Sequence, residues 1–427
     1  MKASLYNTIL FPDDRHTIVY NALSDKFLAV KGHITPDNLH VQDSKVHDNL
    51  ISIGALTDDD ADECGRLREL IRKCDHGDSH FQLHVSPTLD CNFRCHYCYE
   101  EHRAGSRMEE STIEAVKRLI ENKLDTMPHL QHFSLSFFGG EPLMSFHNVV
   151  RPLVEFLHDR SGEKKTGYGI HLTSNAFLLN DAMIDFFSRH KASFQITLDG
   201  HRKLHDKVRF KADGSGSYDK ILENIKKLTE GGCPVLVRIN FTAANLHSIP
   251  ALIEDFREMP AKGLLRFDLQ RVWQDRDNGD EDEIDAILSD YMRMFHESGF
   301  SVNSHFSHDL VRDSCYGDKR QYALVNYDGY VFRCTARDFT EKNRAGVLRE
   351  DGSIEWFNNQ LECRLAAKFA KRVCHTCRIA PICGGGCCQQ AIEHTDPDKC
   401  MYGYTDKDLD RFIARRFEFY HVLGKNL

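Results

Sequence analysis

Residues 91–98 read Cys91-Asn92-Phe93-Arg94-Cys95-His96-Tyr97-Cys98, and this stretch decides how the rest of the chain is read. Cysteines separated by three and then two residues place three thiolates on one short loop. Soft thiolates select iron–sulfur clusters or zinc. A closed structural zinc site takes four protein ligands. Three thiolates around a four-iron cube leave one iron open to another molecule. A zinc loop completed by His84, His96 or His102 is the alternative reading of the same residues.

The loop follows an apolar run at 82–86, the first of six strand candidates; the others are 133–138, 169–173, 194–198, 235–241 and 264–270. Helical patterns lie between them, as at 111–124, 181–190 and 218–229. Alternating strand and helix implies an α/β fold with a parallel sheet, open or curved into a partial barrel. Sites in such sheets sit at the C-terminal strand ends. The stripe Ile284, Ile287, Leu288, Tyr291, Met292 and Phe295 reads as core packing, and the acidic stretch 275–283 as a solvated loop and helix start.

Before this zone come short β-like runs at 6–11, 17–21 and 26–31, then an apolar helical stripe of Cys64, Leu67, Leu70, Ile71 and Cys74. Such a unit looks winged-helix-like. After the zone, residues 302–427 carry nine of the fifteen cysteines. The opening MKASLYNTIL has no apolar signal core, and no run approaches the roughly 18 apolar residues of a membrane span. A cytoplasmic chain is expected, without a membrane partner, and its cysteines then suit metal rather than disulfides. A net charge of −9 argues against nucleic acid.

Four further segments fall in order behind the cluster loop. Phe138-Gly139-Gly140-Glu141-Pro142 follows the second strand, Thr173-Ser174-Asn175 the third, and Thr197-Leu198-Asp199-Gly200 the fourth; His205-Asp206-Lys207-Val208-Arg209 comes next. Each alone reads equally as a turn or cap. Together they resemble the radical S-adenosylmethionine (radical SAM) superfamily. That resemblance implies a partial (β/α)6 TIM-like barrel, with Cys91, Cys95 and Cys98 holding a [4Fe–4S] cluster beside the aromatic Tyr97. It implies that Gly139, Gly140 and Glu141 receive the methionine amino group of S-adenosylmethionine. Ser174, Asn175 and Thr197 would contact its ribose and carboxylate, and Arg209 would pair with the carboxylate. Cleavage of the sulfonium then gives methionine and a 5′-deoxyadenosyl radical.

In the third zone come Cys315, then Cys334, then Cys374-x2-Cys377-x5-Cys383-x3-Cys387, then Cys400. This set resembles the SPASM domain of radical peptide and protein maturases, which holds two more [4Fe–4S] clusters. The resemblance implies a distal cluster on Cys374, Cys377, Cys383 and Cys400 and a nearer one on Cys315, Cys334 and Cys387. No second cysteine follows Cys315 closely, so the nearer cluster is completed by Cys363, Cys388, an oxygen or nitrogen ligand, or substrate. Structural zinc is the alternative for these residues, while Cys64, Cys74 and Cys233 read as structural.

Three domains follow: residues 1–80, winged-helix-like, for leader-peptide recognition; 81–301, the barrel; and 302–427, SPASM with two auxiliary clusters. In ribosomal-peptide maturases a module of the first size adds the leader as a strand to a sheet edge. Sulfatase maturases carry an aspartate directly after the cysteine equivalent to Cys334; here Thr335 stands there, and the nearest acid is Asp338. Asp338 is a candidate proton acceptor, or simply the partner of Arg333 or Arg337. The expected activity is hydrogen abstraction from a ribosomally made precursor peptide to form a C–C, C–S or C–O crosslink or an epimer. Electrons would come from a flavodoxin or ferredoxin. Formylglycine formation in a sulfatase is the second expectation, and a non-catalytic electron-transfer or zinc scaffold the third.

Overall fold

Between residues 80 and 86, Phe81, Leu83 and Val85 are buried while His80, Gln82 and His84 are half-buried. This is the period-two alternation of a strand with two unlike faces. The same alternation recurs in each barrel strand, so one face packs under helices and the other presents polar side chains. The computed structural model describes residues 1–41, 43–211, 213–272, 281–304, 313–357 and 359–422. By its contacts the chain divides into two units. One joins Met1–Gly77, Phe306–Arg320 and Gln360–Leu427; the other joins Asp78–His305 and Gln321–Asn359.

The first unit begins with β1 (Lys2–Ala3), β2 (Asn7–Asp13), β3 (His16–Asn21), β4 (Lys26–Lys31) and β5 (Leu56–Thr57). Strands β2, β3 and β4 form an antiparallel meander, and β1 pairs with β5. Helices Ser44–Ser52 and Glu63–His76 complete the N-terminal module. One set of its side chains, Val19 and Val30, packs with Leu39, Leu50 and Ile53. Ile18, Tyr20 and Phe27 pack instead with Leu67 and Ile71, and with Phe369, Ile379, Ile382, Leu409, Phe412 and Ile413 from the C-terminal segment. The N-terminal module and the cysteine-rich segment therefore share one apolar core. A buried ion pair joins them as well: Arg416 donates to Asp25 through Nε and Nη2 at 3.0 and 2.9 Å.

The second unit holds β6 (His80–Ser86), β7 (His132–Phe137), β8 (Gly167–Ser174), β9 (Ser193–Thr197), β10 (Val235–Phe241), β11 (Leu265–Arg271) and β12 (Ser301–Ser304). Neighbouring strands from β6 to β12 pair in parallel. Helices such as Glu110–Thr126, Asp181–Arg189 and Tyr218–Glu230 connect them, giving the expected α/β partial barrel, left open. Two features exceed the sequence reading. Strand β12 adds a seventh parallel strand beyond the six expected. On the other edge, β13 (Tyr322–Asn326) pairs parallel to β6, and β14 (Tyr330–Phe332), β15 (Gly346–Leu348) and β16 (Ile354–Trp356) continue antiparallel. The acidic stretch lies outside the described residues up to 280, and helix Glu281–Glu297 starts with its last three acids. Among the described residues no helix is long and apolar enough to cross a membrane.

Candidate functional site

The cluster loop leaves β6 and is braced from below by the turn after β7. Gly140 N–H donates to the Thr88 carbonyl at 3.0 Å and Glu141 N–H to the Asp90 carbonyl at 2.8 Å. The two backbones touch so closely that a Cβ on Gly140 would lie 2.1 Å from the Asp90 oxygen. Gly139 sits at φ +112° with its missing Cβ 2.6 Å from the Thr88 oxygen. Both glycines are thus fixed by the approach of the cluster loop.

Glu141 is fully buried. Its carboxylate accepts from Ser174 Oγ at 2.7 Å, Asn175 N–H at 2.7 Å and Leu143 N–H at 3.0 Å. It thereby ties the ends of β7 and β8 together, and burial pushes its carboxyl up despite these donors. Asn175 carries the tie back to the cluster loop, donating to Asn92 Oδ1 at 2.8 Å and toward Cys91 Sγ at 3.9 Å. With three donors on its carboxylate, Glu141 acts in this structure as a brace among β7, β8 and the loop.

Burial pushes the Cys91 thiol up to about 12, and it raises Cys95 and Cys98 too. Cys95 lies in electrostatic reach of both other thiols, and the positive charge of Arg209 acts on all three. Arg209 is nine-tenths buried. Its Nη1 donates to the Tyr97 hydroxyl at 2.8 Å and lies 3.7 Å from Asp199, with which the Tyr97 hydroxyl also hydrogen-bonds. Among the described residues its Nε has no hydrogen-bond partner. Asp199 already balances the guanidinium charge, so the unmatched Nε–H beside three thiols calls for one further acceptor atom. That matches a cluster with an amino-acid carboxylate at its open iron. Asp199 is fixed in turn: its N–H donates to His205 Nδ1 at 3.1 Å, and its Oδ1 accepts from Asn240 N–H at 3.1 Å. Thr197 closes β9 just before it, half-buried.

One acid escaped the sequence reading. Glu100, two residues past Cys98, is half-buried, and among the described residues its Oε1 has no hydrogen-bond partner. Burial, with the Asp338 charge next in effect, pushes its carboxyl up to about 8. Asp338 itself is exposed and accepts at its carbonyl from Asn343 Nδ2 at 2.9 Å. Its relation to Glu100 was not anticipated, although an acid directly behind a cluster loop was the available signal.

In the first unit, Cys374, Cys377, Cys383 and Cys400 line one cavity of about 600 Å³. Their thiols act on one another electrostatically, and burial pushes Cys374 up to about 11 and Cys383 up to about 12. Four soft donors around a shared space fit a four-thiolate group larger than a single ion. Among the described residues, no three Cys, His, Asp or Glu side chains close on one point as a single metal ion requires. Gly384, Gly385 and Gly386 follow Cys383 at φ +64°, +88° and +82°, the left-handed turn that side chains rarely adopt. Tyr402 lines the same cavity and lies in electrostatic reach of Cys383, Cys387 and Cys315. Cys334 closes the β14 end in the barrel unit, half-buried. Cys388 is buried with its thiol hydrogen-bonded to Asp318, and Cys363 is exposed.

Residues 85–256 match the family model "Radical SAM superfamily". The cysteine-type anaerobic sulfatase-maturating enzyme of Clostridium novyi (strain NT) is 27% identical over 146 residues, 33% of this chain. The match spans 37% of that relative's own length. Among solved structures, anSMEcpe with bound AdoMet (S-adenosylmethionine) superposes with a TM-score of 0.60 at 18% identity, covering 81% of this chain and 97% of its own. Streptococcus suis SuiB bound to precursor peptide SuiA gives 0.54 at 14% identity, covering 93% and 98%.

Proposed function

Because residues 85–256 form a radical SAM domain, we propose that this chain is a peptide maturase that abstracts hydrogen from a ribosomally made precursor and installs a crosslink. The observation that carries the reading is the buried Arg209, its Nε unmatched among the described residues, facing the thiols of Cys91, Cys95 and Cys98. These cysteines would hold a [4Fe–4S] cluster, which supplies the electron that splits S-adenosylmethionine. Arg209 would bind the methionine carboxylate, and Tyr97 would orient Arg209. The Glu141 tie among β7, β8 and the loop would keep the thiolates at fixed separation.

Two auxiliary clusters would bring the total to three, one on Cys374, Cys377, Cys383 and Cys400 and one using Cys315, Cys334 and Cys387. They would take the electron released when the peptide radical closes a bond, while a proton leaves to a nearby carboxylate, Asp338 or Glu100. The β2–β3–β4 meander would receive a leader peptide at a strand edge, and a flavodoxin or ferredoxin in the cytoplasm would supply electrons. The SuiB complex with its precursor peptide, superposing over most of the chain, supports a peptide substrate.

A second reading, formylglycine formation on a sulfatase, is favoured by the sulfatase-maturating relative. Anaerobic reconstitution tests both. The chain is incubated with S-adenosylmethionine, a reductant and either peptides translated from the reading frames flanking its gene or a sulfatase peptide. 5′-Deoxyadenosine together with a neighbouring peptide two hydrogens lighter supports the first reading; modification of the sulfatase peptide alone supports the second. No 5′-deoxyadenosine from iron-loaded protein refutes both.

A further inference from the structure

We infer that the start of the chain also serves the cysteine-rich segment. Leu5 and Asn7 wall the cavity lined by Cys374, Cys377, Cys383 and Cys400, so the N-terminal module shields the redox group those thiolates hold. The inference rests on the reading of these four cysteines as ligands of an auxiliary cluster. It adds a role to a module otherwise assigned to peptide recognition.

Hydrogen bonds fix both wall residues. Leu5 N–H donates to Glu63 Oε2 at 2.8 Å, and Ser4 Oγ hydrogen-bonds the same carboxylate. Asn7 Nδ2 donates to the Ala55 carbonyl at 2.8 Å, and its Oδ1 accepts from Asn21 Nδ2 at 3.0 Å. Glu63 opens helix Glu63–His76, whose Leu67 and Ile71 sit in the apolar core against which Cys374, Cys377 and Cys383 pack. The next residue of that helix, Cys64, donates its thiol to the His375 carbonyl at 3.2 Å, inside the Cys374–Cys377 turn. The wall, the helix and the thiolate turn are thus one connected piece.

Its chemical effect follows from charge. A cluster on four thiolates gains negative charge on reduction, and water dipoles stabilise that reduced form. An apolar wall at Leu5 excludes those dipoles and keeps the potential low. Replacing the wall with a polar group raises the potential.

The test uses the full chain, reconstituted anaerobically and titrated by electron paramagnetic resonance. Cys383→Ala is expected to lose one cluster's iron and one signal, which identifies the distal cluster. Leu5→Ser is expected to keep the iron of the parent and shift the midpoint of that same signal to less negative values, while Leu5→Met leaves it in place. If Cys383→Ala keeps all its iron, the cluster reading fails and the inference with it. If Cys383→Ala loses the signal but Leu5→Ser titrates like the parent, the inference alone is overturned. Loss of only that signal from a Leu5→Ser protein with parental circular dichroism supports it equally. Should Leu5→Ser not fold, Leu5→Ala is decided by the same titration, an unmoved midpoint refuting the shield.

Discussion

Arg209 Nη1 donates to the Tyr97 hydroxyl at 2.8 Å, so the aromatic residue of the cluster loop holds the guanidinium that faces the three thiols. Removing that hydroxyl leaves the charge in place and frees its orientation. Tyr97→Phe is expected to weaken S-adenosylmethionine binding roughly tenfold, the loss of about one hydrogen bond to a charged group. Iron content should stay at the parental level. Anaerobic equilibrium dialysis measures the affinity; unchanged binding would mean that Arg209 is positioned by Asp199 alone.

The contact of Gly140 with Asp90 predicts a steric failure. A Cβ 2.1 Å from a backbone oxygen cannot be relieved by a side-chain rotation, so the cluster loop must move. Gly140→Ala should lose the iron of one cluster and about 1–3 kcal/mol of stability. Gly162→Ala is the control, since among the described residues nothing outside its own helix turn lies within 4 Å of its Cβ direction. In helix Arg151–Lys164 that change should be neutral or stabilising by up to about 1 kcal/mol. Equal iron loss in both variants would disprove the argument.

His84 predicts a pH dependence. Burial pushes its imidazole down from 6.5 to about 3, with the charge of His171 adding to the effect. The folded value lies below the unfolded one, so folding favours the neutral ring. Its contribution is complete above 6.5 and is lost as pH falls from there toward 3. Stability in urea should therefore decline over that window by an amount on the order of a few kcal/mol, and His84→Gln should flatten the decline. Half-buried His171 and buried His205, also shifted down, leave a residual slope. An identical slope in His84→Gln would assign the effect elsewhere.

Removing residues 1–77 is expected to give insoluble protein rather than a clean loss of peptide binding. The cut strips Ile18, Tyr20, Phe27, Leu67 and Ile71 from the core they share with Phe369, Ile379, Leu409 and Ile413. At about 1.5–3 kcal/mol per large buried apolar side chain, the cost of exposing that face is comparable with the whole stability of an ordinary domain. A soluble truncation with full iron content would show that this core is dispensable. Point changes on the β2 or β4 edge are the sound way to test leader binding.

Much of the barrel was legible because its strands alternate apolar and polar residues over five or more positions. Val235–Phe241 matches the sequence reading at both ends. Ser301–Ser304 carries a single apolar residue and so left no periodic signal. The segments around Gly139 and Ser174 were found by their place behind successive strands. Their work as braces was hidden, since it depends on contacts such as Glu141 with Asn175, far apart in the chain. The stripe on helix Glu63–His76 was visible as amphipathic, but a stripe does not name the surface it covers, and helix Asp406–Val422 was not read from the sequence at all. Their common core emerges only from the fold.

That common core limits how this chain can be recombined with its relatives. A chimera that exchanges only the first 77 residues inherits a hydrophobic face shaped for a different tail, and a leucine at position 5 cut to fit a different cysteine-lined cavity. The N-terminal module and the C-terminal cysteine-rich segment should therefore pass between homologues as a linked pair, leaving the intervening barrel as the exchangeable part.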